Sequence, residues 1–277
     1  MSTIADMYAE LPRPIRRPLW QIWHKVMIKY DQDITANFMN YGYQSLNGDP
    51  HLELLEKDKN DRYCIQLYDH VVNRTDLRNK EVLEVGSGRG GGASYISRYY
   101  KPRSYTGLDI SSSIIDFCNS YYQIDGLSFK RGFAEKLPFE AGSFDALVNV
   151  ESARCYTSLK IFFDEVHRVL RDDGTFLFAD MIRPRDVEDV KQKLSESGFR
   201  IVREMEITKN VVEALNRDSH RRDTLIRKKV PGFLVASFLA FAGAKGTERY
   251  DSFTNGTYSY WSFDLEKSIP QADLNSA

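Results

Sequence analysis

Cysteine is scarce in this 277-residue chain. Cys64, Cys118 and Cys155 stand far apart, with no Cys-x-x-Cys pair and no Cys/His ligand spacing. That argues against structural zinc, and an odd, sparse count suits a reducing compartment. Long apolar runs are also missing. The longest, 232–244, has 13 residues, against about 20 for a membrane-spanning helix. Residues 1–14 carry no basic-then-apolar leader. Neither sign of charge dominates: 38 Lys+Arg face 39 Asp+Glu, for a net −1. A protein built mainly to bind nucleic acid would carry a basic excess. No internal repeat and no low-complexity stretch occurs. These absences lead us to expect a soluble, cytoplasmic protein with no nucleic-acid partner and no required metal.

What is present is a globular mixture, 42% hydrophobic and 28% charged. Sixteen Tyr and 16 Phe help bring aromatics to 13%, more ring than a core strictly needs, so a lined apolar pocket is expected. Residues 1–18 are punctuated by Pro12, Pro14 and Pro18 among Arg13, Arg16 and Arg17, which reads as an extended arm. One or two helices are expected over 19–39, and another over 52–72, broken near Asn60. Strands are expected at 81–85, 104–109, 127–130, 144–150 and 175–179, with helices after the first, second and fourth. Beyond them come a helix over 187–197, a strand at 199–208, a helix over 210–230, the apolar run 233–241 and a strand at 257–263. Alternation of this kind implies a parallel sheet covered by helices on both faces, with ligands at the strand ends.

The most informative stretch is Val82-Leu83-Glu84-Val85-Gly86-Ser87-Gly88-Arg89-Gly90-Gly91-Gly92. Glycines directly after a strand let the backbone turn tightly and approach a ligand. Asp109 ends the next strand, where a carboxylate can accept from both hydroxyls of a ribose. Gly86, Gly88 and Gly91 formally satisfy the dinucleotide spacing G-x-G-x-x-G. Glu84, beside the loop, would repel a diphosphate and favour an ammonium group, such as that of S-adenosylmethionine. A nicotinamide oxidoreductase on a similar sheet stays as the alternative enzyme.

Several motifs in order resemble class I S-adenosylmethionine-dependent methyltransferases. Glu84-Val85-Gly86-Ser87-Gly88-Arg89-Gly90 resembles their first motif and Gly107-Leu108-Asp109-Ile110-Ser111 their second. Arg131-Gly132-Phe133-Ala134-Glu135 resembles the adenine-side loop, and Asn149-Val150-Glu151-Ser152 the fourth-strand motif. Glu165 to Gly174 resembles the helix and turn before the fifth strand. The closer similarity is to methyltransferases of lipophilic natural products, in particular the mycobacterial phthiotriolone dimycocerosate group and, more distantly, the sterol and tocopherol enzymes. Gly90-Gly91-Gly92-Ala93-Ser94-Tyr95 and Cys155-Tyr156 support it.

The resemblance implies an α/β, Rossmann-like, doubly wound seven-stranded sheet with an N-terminal helical arm and a helical cap inserted before the last strand. It places the arm at 1–72, the cofactor-binding core at 73–209, the cap at 210–253, and the last strand and tail at 254–277. It implies S-adenosylmethionine bound by Tyr41, Glu84, Gly86, Ser87, Gly88, Gly90, Asp109, Ile110, Phe133, Ala134, Glu135 and Asn149. The acceptor would be a lipophilic small molecule of polyketide, lipid, isoprenoid or phenol type, methylated on a hydroxyl or an activated carbon. Two departures matter. Phe133 stands where the family usually has Asp, so stacking or packing on adenine replaces a carboxylate contact. Arg154 stands where the lipid-type relatives often have His, so a histidine base there does not carry over; a degenerate cofactor-binding partner subunit is the non-enzyme alternative.

Methyl transfer from a sulfonium is an in-line displacement, so alignment and exclusion of water dominate. A hydroxyl acceptor also benefits from a base. Glu151, at the end of the fourth strand, is the first candidate, as base or as electrostatic and positioning group, with Arg154 and Tyr156 on the same loop. Among His24, His51, His70, His167 and His220, His167 reads as surface or packing, while His24 and His220 fall in the lid segments and could face substrate. Tyr41 and Tyr43 belong either to ordinary packing or to a segment closing over the cofactor. Residues 221–241 read as a solvated helix followed by a buried one, or as an apolar lid with a basic flank suited to peripheral membrane contact. Homo-oligomerisation stays open.

Overall fold

The computed structural model describes residues 37–48 and 52–268. The arm at 1–18, most of the helical stretch expected over 19–39, His24, His51 and the last nine residues lie outside them.

Seven strands form one sheet: β1 (Glu81–Val85), β2 (Ser104–Asp109), β3 (Leu127–Arg131), β4 (Phe144–Val150), β5 (Leu170–Ile182), β6 (Phe199–Glu206) and β7 (Ser259–Lys267). Their order is β3-β2-β1-β4-β5-β7-β6. Strands β1 to β5 pair in parallel, and β7 runs antiparallel to both neighbours. The chain winds outward in opposite directions from β1, which opens a crevice at the carboxyl ends of β1 and β4. This is the doubly wound sheet expected from sequence.

Side-chain alternation sorts the strands into two apolar layers. On one face Val82 joins Tyr95, Ile96, Ile65 and Tyr105 beneath α1 (Arg62–Val72), α2 (Gly91–Tyr99) and α3 (Ser112–Tyr121). On the other, Leu83 and Val85 join Phe162, Phe163, Phe176, Phe178 and Leu194 beneath α4 (Leu159–Val169) and α5 (Val187–Glu196). Each fully buried ring contributes roughly 1.5–3 kcal/mol. The stripe Phe162, Phe163, Val166 and Val169 recurs at helical spacing on α4, which Ser158 starts by accepting from the Ile161 N–H at 3.3 Å. His167 packs edge-on to Phe199.

Three helices lie between β6 and β7: α6 (Thr208–Lys229), α7 (Gly232–Phe241) and α8 (Glu248–Thr254). The short α8 had no signal in the sequence reading. The expected helix over 52–72 divides where predicted, into a 3-10 turn at Glu56–Asp61 and then α1. β5 is longer than 175–179 because it absorbs the Asp172-Asp173-Gly174 turn at a register shift opposite Phe144 and Ala146. The apolar run in α7 is not a buried helix: only Phe238 is buried, and Phe233 is 81% exposed.

Candidate active site

The glycine loop joins β1 to α2. Gly86 and Gly88 have φ of +78° and +50°, where L side chains are strained. A Cβ on Gly86 would collide with Ser152 Oγ, and one on Gly88 would lie 2.7 Å from Met39 Cε. The loop borders a cavity of about 150 Å³ whose wall includes Gly86, Ser87, Gly88, Asp109, Ile110, Ala134, Glu135, Glu151, Arg154 and Tyr156. Ser87 Oγ is buried there without a hydrogen-bond partner among the described residues. The backbone closes with its own donors: the amides of Gly86 and Ser87 donate to Leu108 O, Gly88 to Asp109 Oδ2, Gly90 to Ser87 O and Gly91 to Asn37 O. A diphosphate at a helix start needs free amides, so this loop does not favour a dinucleotide.

Asp109 accepts from the Gly88 N–H at 3.1 Å and the Ser111 N–H at 2.9 Å. A carboxylate at the end of β2 beside this cavity can accept from both hydroxyls of a ribose. Burial raises its pKa, against the backbone donors that lower it. Glu135 lines the cavity while accepting from Thr157 N–H and Oγ1.

Five residues expected to touch the cofactor do not line the glycine-loop cavity: Glu84, Gly90, Asn149, Phe133 and Tyr41. Glu84 does not reach the cavity. Its side chain is fully buried on the α1–α2 face, accepting from Tyr68 OH at 2.7 Å and Tyr105 OH at 3.1 Å. Burial pushes its pKa up to about 7, so a fixed charge at 84 is not what disfavours a diphosphate; the occupied amides are. Gly90 is off the wall as well. It holds the left-handed position that starts α2 (φ +77°), against the rings of Phe129 and Tyr122. Asn149 is a brace: its Nδ2 lies 2.8 Å from Val85 O and 2.7 Å from Ser152 Oγ, behind the loop. Phe133 is 43% exposed and does not line the cavity.

Glu151 follows β4 in a left-handed conformation, φ +54°, a strained state that surrounding structure must hold. Its Oε1 accepts from the Tyr41 N–H at 2.8 Å and Tyr260 OH at 2.9 Å. Its Oε2 makes no hydrogen bond among the described residues and lies 3.9 Å from Arg154 Nη2. Burial raises its pKa to about 7, against the Arg154 charge that lowers it. Arg154 is itself anchored on Asp180, by Nη1 at 3.0 Å and by its backbone N–H at 3.1 Å. Tyr156 OH lies 2.8 Å from Ser152 Oγ, and burial raises its pKa. The structure thus brings Glu151, Arg154 and Tyr156 together on the wall.

A second cavity of about 130 Å³ adjoins the first, sharing Phe38, Met39, Asn40, Arg89 and Phe241. Tyr41 lines this one rather than the first, with Leu225, Ile226, Val230 and Phe238 of the inserted helices. Its roof is tied by Arg222 of α6. Nε pairs with the buried Asp218 at 2.8 Å; Nη2 donates to Tyr41 O at 3.1 Å and Nη1 to Ala242 O at 3.0 Å. Tyr43 stacks on His70, away from both cavities. His220 is exposed on α6 and lines neither cavity, because its neighbours Arg221 and Arg222 take the inward positions of that turn.

Sequence reasoning missed Asp180, Tyr260 and Arg222. Asp180 carried a signal, an acid near the carboxyl end of a parallel strand. Tyr260 was hidden among the aromatics of β7, and Arg222 looked like one more charge on a solvated helix. Among the described residues no cluster of His, Cys, Asp and Glu could hold a metal ion, and no helix is long and apolar enough to cross a membrane.

The family described as a methyltransferase domain matches residues 83–178. The chain is 35% identical to a probable phthiotriol/phenolphthiotriol dimycocerosates methyltransferase of Mycobacterium ulcerans, over 84% of this chain and 90% of the relative. It is 39% identical to a fatty-acid O-methyltransferase of Mycolicibacterium smegmatis, over 83% and 82%. A solved geranyl diphosphate C-methyltransferase from Streptomyces coelicolor, in complex with Mg2+, geranyl diphosphate and S-adenosyl-L-homocysteine, shares the fold. Its TM-score is 0.61 at 14% identity, covering 86% of this chain and 98% of that one.

Proposed function

The chain belongs to the S-adenosylmethionine-dependent methyltransferase family, and on that footing we propose that it methylates a hydroxyl of a lipid- or polyketide-type molecule, with Glu151 as general base. The observation that carries the proposal is the place of Glu151. Glu151 lines the glycine-loop cavity, and its carboxyl is bonded to the backbone of Tyr41, which lines the apolar cavity next door.

The residues present fit the cofactor: a loop that tolerates no Cβ at Gly86, an orphan hydroxyl at Ser87 and a carboxylate at Asp109. When bound, S-adenosylmethionine supplies an electrophilic methyl group on a sulfonium and leaves as S-adenosylhomocysteine. Gly86, Ser87, Gly88 and Asp109 would hold it, with Ile110, Ala134 and Glu135 on the adenine side. Glu151 takes the hydroxyl proton on its Oε2, which no hydrogen bond occupies among the described residues. A pKa near 7 suits that task, since a base works best when its affinity for the proton matches the working pH. Arg154, held by Asp180, keeps part of the Glu151 population ionised and fixes its orientation. Leu225, Ile226, Val230 and Phe238 exclude water from the acceptor.

We take residues 1–72 and 210–253 as arm and cap over a core of 73–209, completed by 254–277. The relatives named for phthiotriol and fatty-acid substrates support a lipophilic acceptor. A hydroxyl is favoured over a carboxyl because a carboxylate needs no base and would meet the charge of Glu151. Acceptors of this kind partition into lipid, so the proposal includes peripheral contact of the cap with a membrane. The experiment is incubation with S-adenosylmethionine and a panel of long-chain alcohols, phenols and fatty acids, with products identified by mass spectrometry and NMR. Methyl ethers are expected. Methyl esters alone, or methylation on carbon, would contradict the assignment.

A further inference from the structure

Helix α7 is apolar all round. Its sequence is Gly-Phe-Leu-Val-Ala-Ser-Phe-Leu-Ala-Phe, with Ser237 the one side chain bearing a polar group. A helix of that composition is normally buried, in a core or in lipid. Here only Phe238 is buried, while Phe233 is 81% exposed and Ala236 and Ser237 are exposed beside it. Leaving a ring of that size in water is unfavourable, so an open face of this kind marks an interaction surface.

Along the chain, residues 224–247 carry charge of one sign. Between Asp223 and Glu248 the chain has no acidic residue, but it has Arg227, Lys228, Lys229 and Lys245. Arg227, Lys228 and Lys245 are exposed. Arg227 shares its charge with Asp223 at 2.8 Å. The basic residues thus bracket the apolar helix, three before it and one after.

We propose that α7 and the basic end of α6 form a docking surface for an anionic lipid bilayer, with Phe233 as the inserting side chain. The proposal rests on the reading that the acceptor is lipophilic, and it names where that acceptor enters. The inner side of the same element, Phe238 and Phe241 with Lys229 and Val230, lines the second cavity. A molecule leaving the bilayer along α7 reaches the cavity next to Glu151 without crossing water. Charge complementarity selects the bilayer over a second copy of the chain: a two-fold partner would bring the exposed Lys228 and Lys245 against their own copies, whereas anionic headgroups neutralise them.

The test is co-sedimentation of the full chain with phosphatidylcholine vesicles, with and without phosphatidylglycerol. The chain should bind the phosphatidylglycerol vesicles, more weakly as salt is raised. Phe233→Asp and Lys228→Glu should each weaken binding roughly tenfold. Neither residue lines a cavity, so both variants should keep the wild-type affinity for S-adenosylhomocysteine and its rate on detergent-dispersed acceptor, which also reports folding. No vesicle binding, or equal binding by Phe233→Asp, overturns the proposal. So does a dimer, seen in the ultracentrifuge, that Phe233→Asp dissociates while vesicle binding is unchanged. A chain that binds vesicles normally yet methylates no alcohol contradicts the proposed function and leaves the docking surface standing.

Discussion

The backbone N–H of Tyr41 donates to Glu151 Oε1 at 2.8 Å, while the carbonyl of the same Tyr41 accepts from Arg222 at 3.1 Å. One residue therefore connects the acid on the cavity wall to the buried arginine of the inserted helices. The strained φ of Glu151 is held from that side by Tyr41 and from the sheet by Tyr260. Arg222, the Tyr41 backbone and the Glu151 carboxyl thus form one hydrogen-bonded chain from cap to site.

Removing the arginine should uncouple them. Arg222→Ala leaves the buried Asp218 without the Arg222 Nε–H and strips donors from the Tyr41 and Ala242 carbonyls. Asp218 keeps its pair with Arg221 at 2.6 Å, so the cost is that of the carbonyls left without donors, roughly 1–3 kcal/mol, read as a fall in Tm. Arg222→Lys keeps the charge but not the fork that reaches two carbonyls. It should unfold at a temperature nearer wild type, with kcat reduced and S-adenosylhomocysteine affinity little changed.

Gly86→Ala should abolish cofactor binding. The added Cβ would sit within the envelope of Ser152 Oγ, at a φ of +78°. Gly232→Ala is the control, with open space around it and no positive φ. Calorimetric titration with S-adenosylhomocysteine should show at least a tenfold loss for the first and wild-type affinity for the second.

Glu84 should make the fold less stable as pH rises. Its pKa is raised by burial to about 7 from the ordinary 4.5 of a glutamate, so the folded state prefers the protonated acid. The stabilising contribution is full below about pH 4.5, declines between there and 7, and is gone above. The span corresponds to roughly 3–4 kcal/mol. Glu84→Gln, whose Oε1 can accept from one of the two tyrosines while its Nε2 donates to the hydroxyl oxygen of the other, should flatten the fall in Tm between pH 5 and 7.5. An unchanged slope would place the titration elsewhere.

The sheet was legible because its signals are local. Each strand is a short apolar run, and Gly86, Gly88 and Asp109 follow strand ends at fixed offsets. Partners across the sheet were not legible. Glu84 sits in the motif where a ligand contact was expected, yet side-chain alternation turns it onto the face holding Tyr68 and Tyr105. Its odd-numbered neighbours Leu83 and Val85 face the other layer. Glu151 lines the cavity at the end of β4, but its partners lie 110 residues before it at Tyr41 and 109 after it at Tyr260. On α6, one position separates His220, which faces solvent, from the inward Arg221 and Arg222; charge alone gives no helical phase.

The pH–rate profile of wild type and Glu151→Gln, taken with saturating S-adenosylmethionine and a lipophilic alcohol, tests the role of Glu151 most directly. The wild-type rate should rise through an apparent pKa near 7 to a plateau, because the base acts when ionised. The glutamine variant should turn over about 10²–10⁴-fold more slowly, without that inflection, while binding S-adenosylhomocysteine as tightly as wild type. Equal rates, or an inflection that survives the substitution, would contradict a base at position 151.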